Sequence, residues 1–167
     1  MRFVLSRIDI STLSQEVIND TMRLIVGERI GIGQSREVNV YLPDTSLVIK
    51  MEHEVYKYDN VQEWEMWRAS EGQTIRKWLA PCITISERGC ALIQKRTHPV
   101  PEWRLPKKVP RLLTDTKKEN WGLIERGGKS YVVCHDYAHN RMWKYGIEDT
   151  VMEDANWHSK GYAGYLK

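Results

Sequence analysis

The sequence predicts an α+β fold built on antiparallel strands, and three patterns predict it. Apolar residues recur at helical spacing over 11–25 and again over 59–71. Elsewhere the period drops to two, in short runs bounded by turn residues, which is the pattern of hairpins. Prolines at 99, 101, 106 and 110 rule out a helix over 98–110.

Taken in order, Ser11 is the expected N-cap of the first helix, with Leu13, Val17, Ile18, Met22 and Ile25 as its apolar stripe and Gly27 as its C-cap. Ile30, Ile32, Val38, Val40 and Leu42 then alternate, Pro43-Asp44 marks a turn, and Leu47-Val48-Ile49-Lys50 reads as the next strand. The second helix is expected to start near Asp59 or Asn60, with Val61, Trp64 and Trp67 on one face. Short strands over 81–86 and 91–94 flank the turn Glu87-Arg88-Gly89. Trp121–Ile124, the Gly127-Gly128 turn and Tyr131–Cys134 form a further hairpin. A short helix is expected near 147–155, in a tail rich in aromatics and glycine.

With 167 residues, 41% apolar and 28% charged, the chain has the composition of one globular domain rather than of a disordered segment. A net charge of +3 suits a polyanionic ligand such as a nucleotide and argues against a dedicated nucleic-acid surface. Cys82, Cys90 and Cys134 are odd in number and lack C-x-x-C spacing. That argues against a disulfide framework or a zinc cluster, and the expected location is a reducing cytoplasm. No apolar run is long enough for a membrane span, so no membrane partner is expected.

The chemistry-bearing residues lie in a few short stretches. Asp115 to Asn120 reads D-x-K-x-x-N, and Asp136-Tyr137-Ala138 follows sixteen residues beyond Asn120. One carboxylate can orient a hydroxyl, an amide oxygen can hold a metal ion, and a second carboxylate can bridge metal to phosphate. Gly31, Gly33, Ser35 and Val38 form a glycine-bearing loop between strands, where a backbone can approach phosphate oxygens. Lys50 ends an apolar run seventeen residues after Gly33. His135-Asp136 and His139 have few supporting ligands nearby, so a histidine metal cluster is set aside.

In this order the motifs resemble those of the protein kinases, and specifically the minimal kinase-like proteins of bacteriophages. The resemblance implies a kinase-like small lobe of antiparallel sheet plus helix, a catalytic-loop hairpin and a strongly reduced C-terminal lobe. It implies ATP and Mg²⁺ as ligands. Gly31, Gly33, Ser35 and Val38 would cover the nucleotide phosphates. Lys50 would pair with the α- and β-phosphates and with a glutamate of the following helix, Glu63 being preferred to Glu65 and Glu71. Gln94 and Lys95, placed between strands, would lie on the adenine side. Asp115 would position the acceptor hydroxyl, Lys117 would neutralise charge on the transferring group, and Asn120 and Asp136 would bind the metal.

The chain departs from that pattern at several points. Arg36 stands at the third glycine, Leu113 and Thr114 replace the histidine and arginine before the catalytic aspartate, and Ala138 replaces a glycine. The missing arginine argues against control by a phosphorylated activation segment. The expected organisation is a helical extension at 1–26, a small lobe at 27–95, a linker and catalytic hairpin at 96–138, and a tail at 139–167, all in one compact domain.

Trp121 and, in the tail, Trp143, Tyr145, Trp157, Tyr162 and Tyr165 are expected to pack across the sheet. The alternatives are stacking on single-stranded nucleic acid beside Lys144, Lys160 and Lys167, a homodimer, or docking on a partner. Three functions follow. The first is an ATP-dependent phosphotransferase acting on a small molecule or a host protein, in the host cytoplasm if phage-encoded. The second is an inactive pseudokinase-like module that binds a host protein. The third, least favoured, is a nucleic-acid-binding domain.

Overall fold

The computed structural model describes residues 10–53 and 57–158, leaving aside the side chains of Ile10, Ile18, Asn19 and Arg23. The chain is α+β, with antiparallel strands and few helices, and it divides into two compact units. One comprises residues 1–68 and 81–96, the other 69–80 and 97–167.

The first unit starts with helix α1 (Gln15–Ile25). Its cap is Ser14, whose hydroxyl accepts from the Val17 N–H at 3.3 Å. Ser11, the cap expected from sequence, lies instead in a 3₁₀ turn at Ile10–Thr12. Gly27 does not end the helix either. The backbone turns extended at Val26, and Gly27 falls inside the first strand.

Strands β1 (Val26–Ile32), β2 (Arg36–Tyr41), β3 (Leu47–Glu52), β4 (Cys82–Ile85) and β5 (Ala91–Lys95) form an antiparallel sheet in the order β1-β2-β3-β5-β4. β1 is an edge strand. Its Ile30 and Ile32 are exposed, although their alternation suggested burial. Asp44 closes the β2–β3 turn by accepting from the Ser46 N–H at 3.0 Å.

The two faces of this sheet differ in chemistry. On one, Tyr41, Leu47, Ile49, Ala91 and Ile93 pack with Ile25 of α1 into an apolar core. The residues that alternate with them, including Arg36, Val38, Lys50 and Gln94, point to the other face. Helix α2 (Asp59–Ala69) covers that face, and its buried residues are Asp59, Asn60, Glu63 and Met66. Val61, Trp64 and Trp67, the stripe expected to face inward, are only half-buried. The helix turns its polar side in, because the sheet beneath it is itself charged.

In the second unit, Leu79 bridges Cys134 and the Ala80 N–H donates to the Cys134 carbonyl at 2.8 Å. Residues 69–80 therefore belong here and not with the 27–95 segment expected to form a lobe, while α1 packs into the first unit and is no separate extension. β6 (Lys108–Pro110) emerges from the proline-rich stretch and pairs with β9 (Met152–Asp154). That pairing occupies the region where a helix over 147–155 was expected. The helical turn lies earlier, in α3 (Met142–Tyr145), and Gly146 at φ +83° ends it.

The hairpin β7 (Trp121–Arg126) and β8 (Lys129–Cys134) matches its sequence signature. Gly127 and Gly128 have φ of +55° and +73°, a conformation that side chains resist. Trp121 is buried, in edge-to-face contact with Trp78 at 6.2 Å and Trp157 at 5.2 Å. Trp143 does not pack as expected. It is 82% exposed, because α3 is a single turn that buries Met142. Tyr145 is half-buried under the Arg111 guanidinium, 3.9 Å from the ring centroid. Lys160, Tyr162, Tyr165 and Lys167 lie outside the described residues. Among those described, no helix is long and apolar enough to cross a membrane.

Candidate functional site

The residues singled out from sequence fall into two groups, one in each unit. In the first, the pairing of β2 with β3 sets Val38 opposite Lys50 and Arg36 opposite Glu52. The side chains of Arg36 and Lys50 therefore share a face, and both meet Glu63 of α2. Lys50 Nζ lies 2.8 and 3.1 Å from the two Glu63 oxygens, and Arg36 Nη2 lies 2.8 Å from Oε1. All three side chains are buried, Glu63 completely. Among the three glutamates considered, Glu63 is thus the one joined to Lys50. Glu65 pairs with Arg68 on the helix exterior and Glu71 is exposed beyond the helix end.

Sequence reasoning did not find Arg36. It stood in the place of a glycine, and only the strand register shows that its guanidinium serves Glu63. Arg36 also bonds Asn60 Oδ1 at 3.2 Å. Asn60 in turn donates to the carbonyls of Lys50 and Gly89, tying α2 to the sheet. Glu52 accepts from the Asn60 N–H at 2.7 Å. Burial, reinforced by Asp59, raises its carboxyl above the usual range despite that bond and the nearby Arg36.

The β1–β2 turn is closed by the Gly33 N–H donating to the Arg36 carbonyl at 2.7 Å. Neither Gly31 nor Gly33 has a left-handed backbone, and a Cβ at either would meet only ordinary contacts at 3.5 Å or beyond. Nothing within the unit requires glycine at these two positions. The Ser35 hydroxyl donates to the Asp59 carboxylate, so the loop is tied to the start of α2. Val38 is half-buried beside Lys50's strand.

Gln94 and Lys95 do not lie between strands, where an adenine-contacting segment was expected. Both are within β5, and the Lys95 N–H is engaged by the Pro81 carbonyl at 2.8 Å. Gln94 is completely buried, with its amide nitrogen 3.5 Å from Glu63 Oε2, and Lys95 reaches Ser46 at the sheet edge.

In the second unit, the β7–β8 register places Trp121 opposite Cys134. The residues just beyond the strands then meet, with the His135 N–H donating to the Asn120 carbonyl at 2.8 Å. Asn120 and Asp136 thereby reach the same end of the hairpin. Asp115 joins them through the loop that precedes β7. Its Oδ2 is 3.0 Å from Lys117 Nζ, its Oδ1 accepts from the Lys117 N–H at 3.1 Å, and its carbonyl takes the Trp121 indole N–H at 3.3 Å.

Burial raises the Asp115 carboxyl, but the Lys117 ammonium and N–H together with the Asn120 side chain outweigh it and hold the group below the usual range. The Asn120 side chain also carries an amide oxygen, which can accept. That oxygen and the Asp136 carboxylate are hard donors of the kind Mg²⁺ takes. His135 is no metal ligand here. Its two ring nitrogens meet Thr97 Oγ1 and the Glu119 carbonyl, each at 2.8 Å.

A residue missed from sequence completes this group. A strand-like segment at 156–158 runs beside residues 116–118, with the Lys118 N–H donating to the His158 carbonyl at 2.9 Å. Thr116 Oγ1 donates to the Asn156 carbonyl at 2.8 Å, and the Trp157 indole donates to the Pro106 carbonyl at 2.9 Å. His158 Nε2 comes to 4.0 Å from Asp115 Oδ1. No local pattern around His158 could have signalled this, since it lies over forty residues away from Asp115 in sequence.

Fold and side chains together define an α+β protein with a buried lysine–glutamate–arginine cluster in one unit and a carboxylate, amide and lysine group in the other. No protein-family model matches the chain, and no curated protein matches its sequence.

Proposed function

We propose that this protein is a minimal kinase-like phosphotransferase that binds ATP with Mg²⁺. The observation that carries the reading is the Lys50–Glu63 pair. Two charges lose their hydration in a dry site, and well-packed apolar residues serve stability as well or better. A fold with an apolar core on its other face has little structural need for such a pair. A lysine held by a buried glutamate is oriented to meet phosphate oxygens.

The second unit supports the same chemistry. Asp115 orients the nucleophile, Lys117 offsets charge on the transferring group, and Asn120 and Asp136 are the residues that would hold the metal. Mg²⁺, when bound, neutralises charge on the β- and γ-phosphates. Gly31 and Gly33, which the first unit does not itself require, leave the backbone open to close approach by phosphates.

A second reading is a nucleotide-binding module that transfers nothing and acts through a host protein. Arg36 favours it, because its side chain fills the place of a glycine and draws on the same glutamate as Lys50. Calorimetry with ATP and Mg²⁺, followed by incubation with γ-labelled ATP with and without bacterial lysate, separates the two. Phosphotransfer requires binding by wild type, with transfer abolished but binding kept in Asp115→Ala. Binding without any transfer or hydrolysis selects the module. Absence of binding rejects both.

A further inference from the structure

We propose that the protein has a second ligand site, which takes a phosphomonoester dianion between Arg76, Arg126 and Lys129 at the turn end of the β7–β8 hairpin. The site does not rest on the phosphotransfer reading. The Asp115 group lies at the opposite end of the same hairpin, roughly 17 Å away by the rise of five strand residues.

Strand register builds the site. Arg126 and Lys129 flank the Gly127-Gly128 turn as a directly opposed pair, so their side chains leave the same face with Cβ atoms about 5 Å apart. Tyr131 pairs with Ile124, two residues further along, and shares that face. Ile124 packs there with Val133 and with Ala80, which follows the 3₁₀ turn at Thr74–Trp78. Arg126 reaches across to the same segment. Its Nη1 donates to the Lys77 carbonyl at 3.4 Å and its Nη2 to the Leu79 carbonyl at 3.1 Å. The 3₁₀ turn carries Arg76, whose Nη1 donates to the Ser70 hydroxyl at 3.2 Å. All of these residues belong to the second unit.

The charges gathered here are not balanced. Arg126 is half-buried, yet among the described residues no carboxylate forms an ion pair with it or with Lys129. Glu125, the nearest acid in sequence, pairs with Ser130 and leaves from the other face of the hairpin. Burial and then the Arg76 charge push the Arg126 guanidinium below the usual arginine range, with Tyr131 acting against them. The two carbonyls orient the guanidinium without neutralising it. If capping those carbonyls were its whole task, a second guanidinium beside it would only oppose it. An anion bound there draws on both.

Donors remain to hold one. Arg126 spends two of its five N–H groups on the carbonyls and keeps three. Lys129 is exposed and adds its ammonium, and the Tyr131 hydroxyl is within the same face, the residue being 41% exposed.

Charge and compactness select the ligand. A phosphomonoester brings close to two negative charges at neutral pH and three strong acceptor oxygens, which match two guanidiniums and an ammonium. A carboxylate brings one charge and two oxygens. A nucleic-acid strand spreads single charges along its backbone and is met by cations in a row, whereas these cluster at one hairpin tip.

The test follows the side-chain Nε–H signals of Arg76 and Arg126 by NMR. Phenyl phosphate, O-phosphoserine and inorganic phosphate are titrated separately, with sodium chloride at matched ionic strength as the control. These signals report this end of the hairpin alone, so the result is independent of whether ATP binds elsewhere. The expected result is a saturable shift of both signals with either ester and none with chloride. Arg76→Gln, read on the Arg126 signal, should weaken binding by about tenfold or more. Lys129→Glu changes an exposed side chain that the fold does not need, and should abolish binding even if Arg76→Gln does not fold. Shifts that do not saturate or that chloride reproduces, unchanged affinity in a folded Arg76→Gln, or binding kept in Lys129→Glu each overturn the site. Saturation by inorganic phosphate and by neither ester overturns the assignment of an ester. Tighter binding of a single-stranded oligonucleotide lacking terminal phosphates overturns the choice of a monoester.

Discussion

Replacing Glu63 by glutamine should destabilise the first unit more than removing either cation it serves. The carboxylate is fully buried and meets Lys50 at 2.8 and 3.1 Å and Arg36 at 2.8 Å. Glu63→Gln keeps the shape but removes the negative charge, so two buried cations lose their counter-charge at once. Breaking one buried pair from one side typically costs about 3–5 kcal/mol, and two cations put this variant at the top of that range. Lys50→Met leaves Glu63 neutralised by Arg36 and should cost roughly half as much. With a urea slope of about 2 kcal/mol per molar, Glu63→Gln lowers the midpoint by about 2.5 M and Lys50→Met by about 1.25 M. Urea denaturation followed by amide exchange in β3 and α2 reads the first unit separately. Equal losses in the two variants, or a larger loss in Lys50→Met, would refute the view that one carboxylate holds both cations.

Two further outcomes follow from the geometry. Gly31→Ala meets only an ordinary contact with Val38, so thermal stability should stay unchanged or rise by up to about 1 kcal/mol. ATP affinity in the same variant should drop, and an unchanged affinity would remove the loop from the nucleotide site. Asp115, whose folded carboxyl is lowered by Lys117 and Asn120, contributes stability that is present above the ordinary aspartate range and is lost as pH falls through its folded value. Stability of wild type minus that of Asp115→Asn should therefore be positive at pH 7 and shrink below about pH 4, as pH-dependent melting would show.

Legibility in the sequence tracked how local each signal was. The β7–β8 hairpin could be read because alternation and a Gly-Gly turn are written into adjacent residues. Lys50 could be singled out because it ends an apolar run, and Glu63 as its partner because it sits in the middle of the following helix, although β3 itself runs on past Lys50 to Glu52. Arg36 could not, because its role depends on cross-strand register and on a helix over twenty residues away. The inward face of α2 was misjudged for the same reason. Apolar spacing selects Val61, Trp64 and Trp67, whereas the charged face of the sheet selects Asn60 and Glu63. Ser11 and Ser14 are equally good caps by type, and the 3₁₀ turn at Ile10–Thr12 decides between them. The β6–β9 pairing and the approach of His158 to Asp115 join segments some forty residues apart, with no periodic signal linking them.

The polar inner face of α2 has a consequence for the order in which the first unit assembles. An amphipathic helix can collapse onto a sheet early, guided by apolar burial that tolerates imprecise register. α2 differs, since its Asp59, Asn60 and Glu63 meet partners that the sheet and its loops supply: Ser35 for Asp59, Arg36 and the Gly89 carbonyl for Asn60, and Lys50 and Arg36 for Glu63. The helix is therefore expected to dock after the β2–β3 hairpin has its final register. Weakening its contacts, for instance by Asn60→Ala, should then speed unfolding and leave the folding rate almost untouched, as stopped-flow chevrons would show.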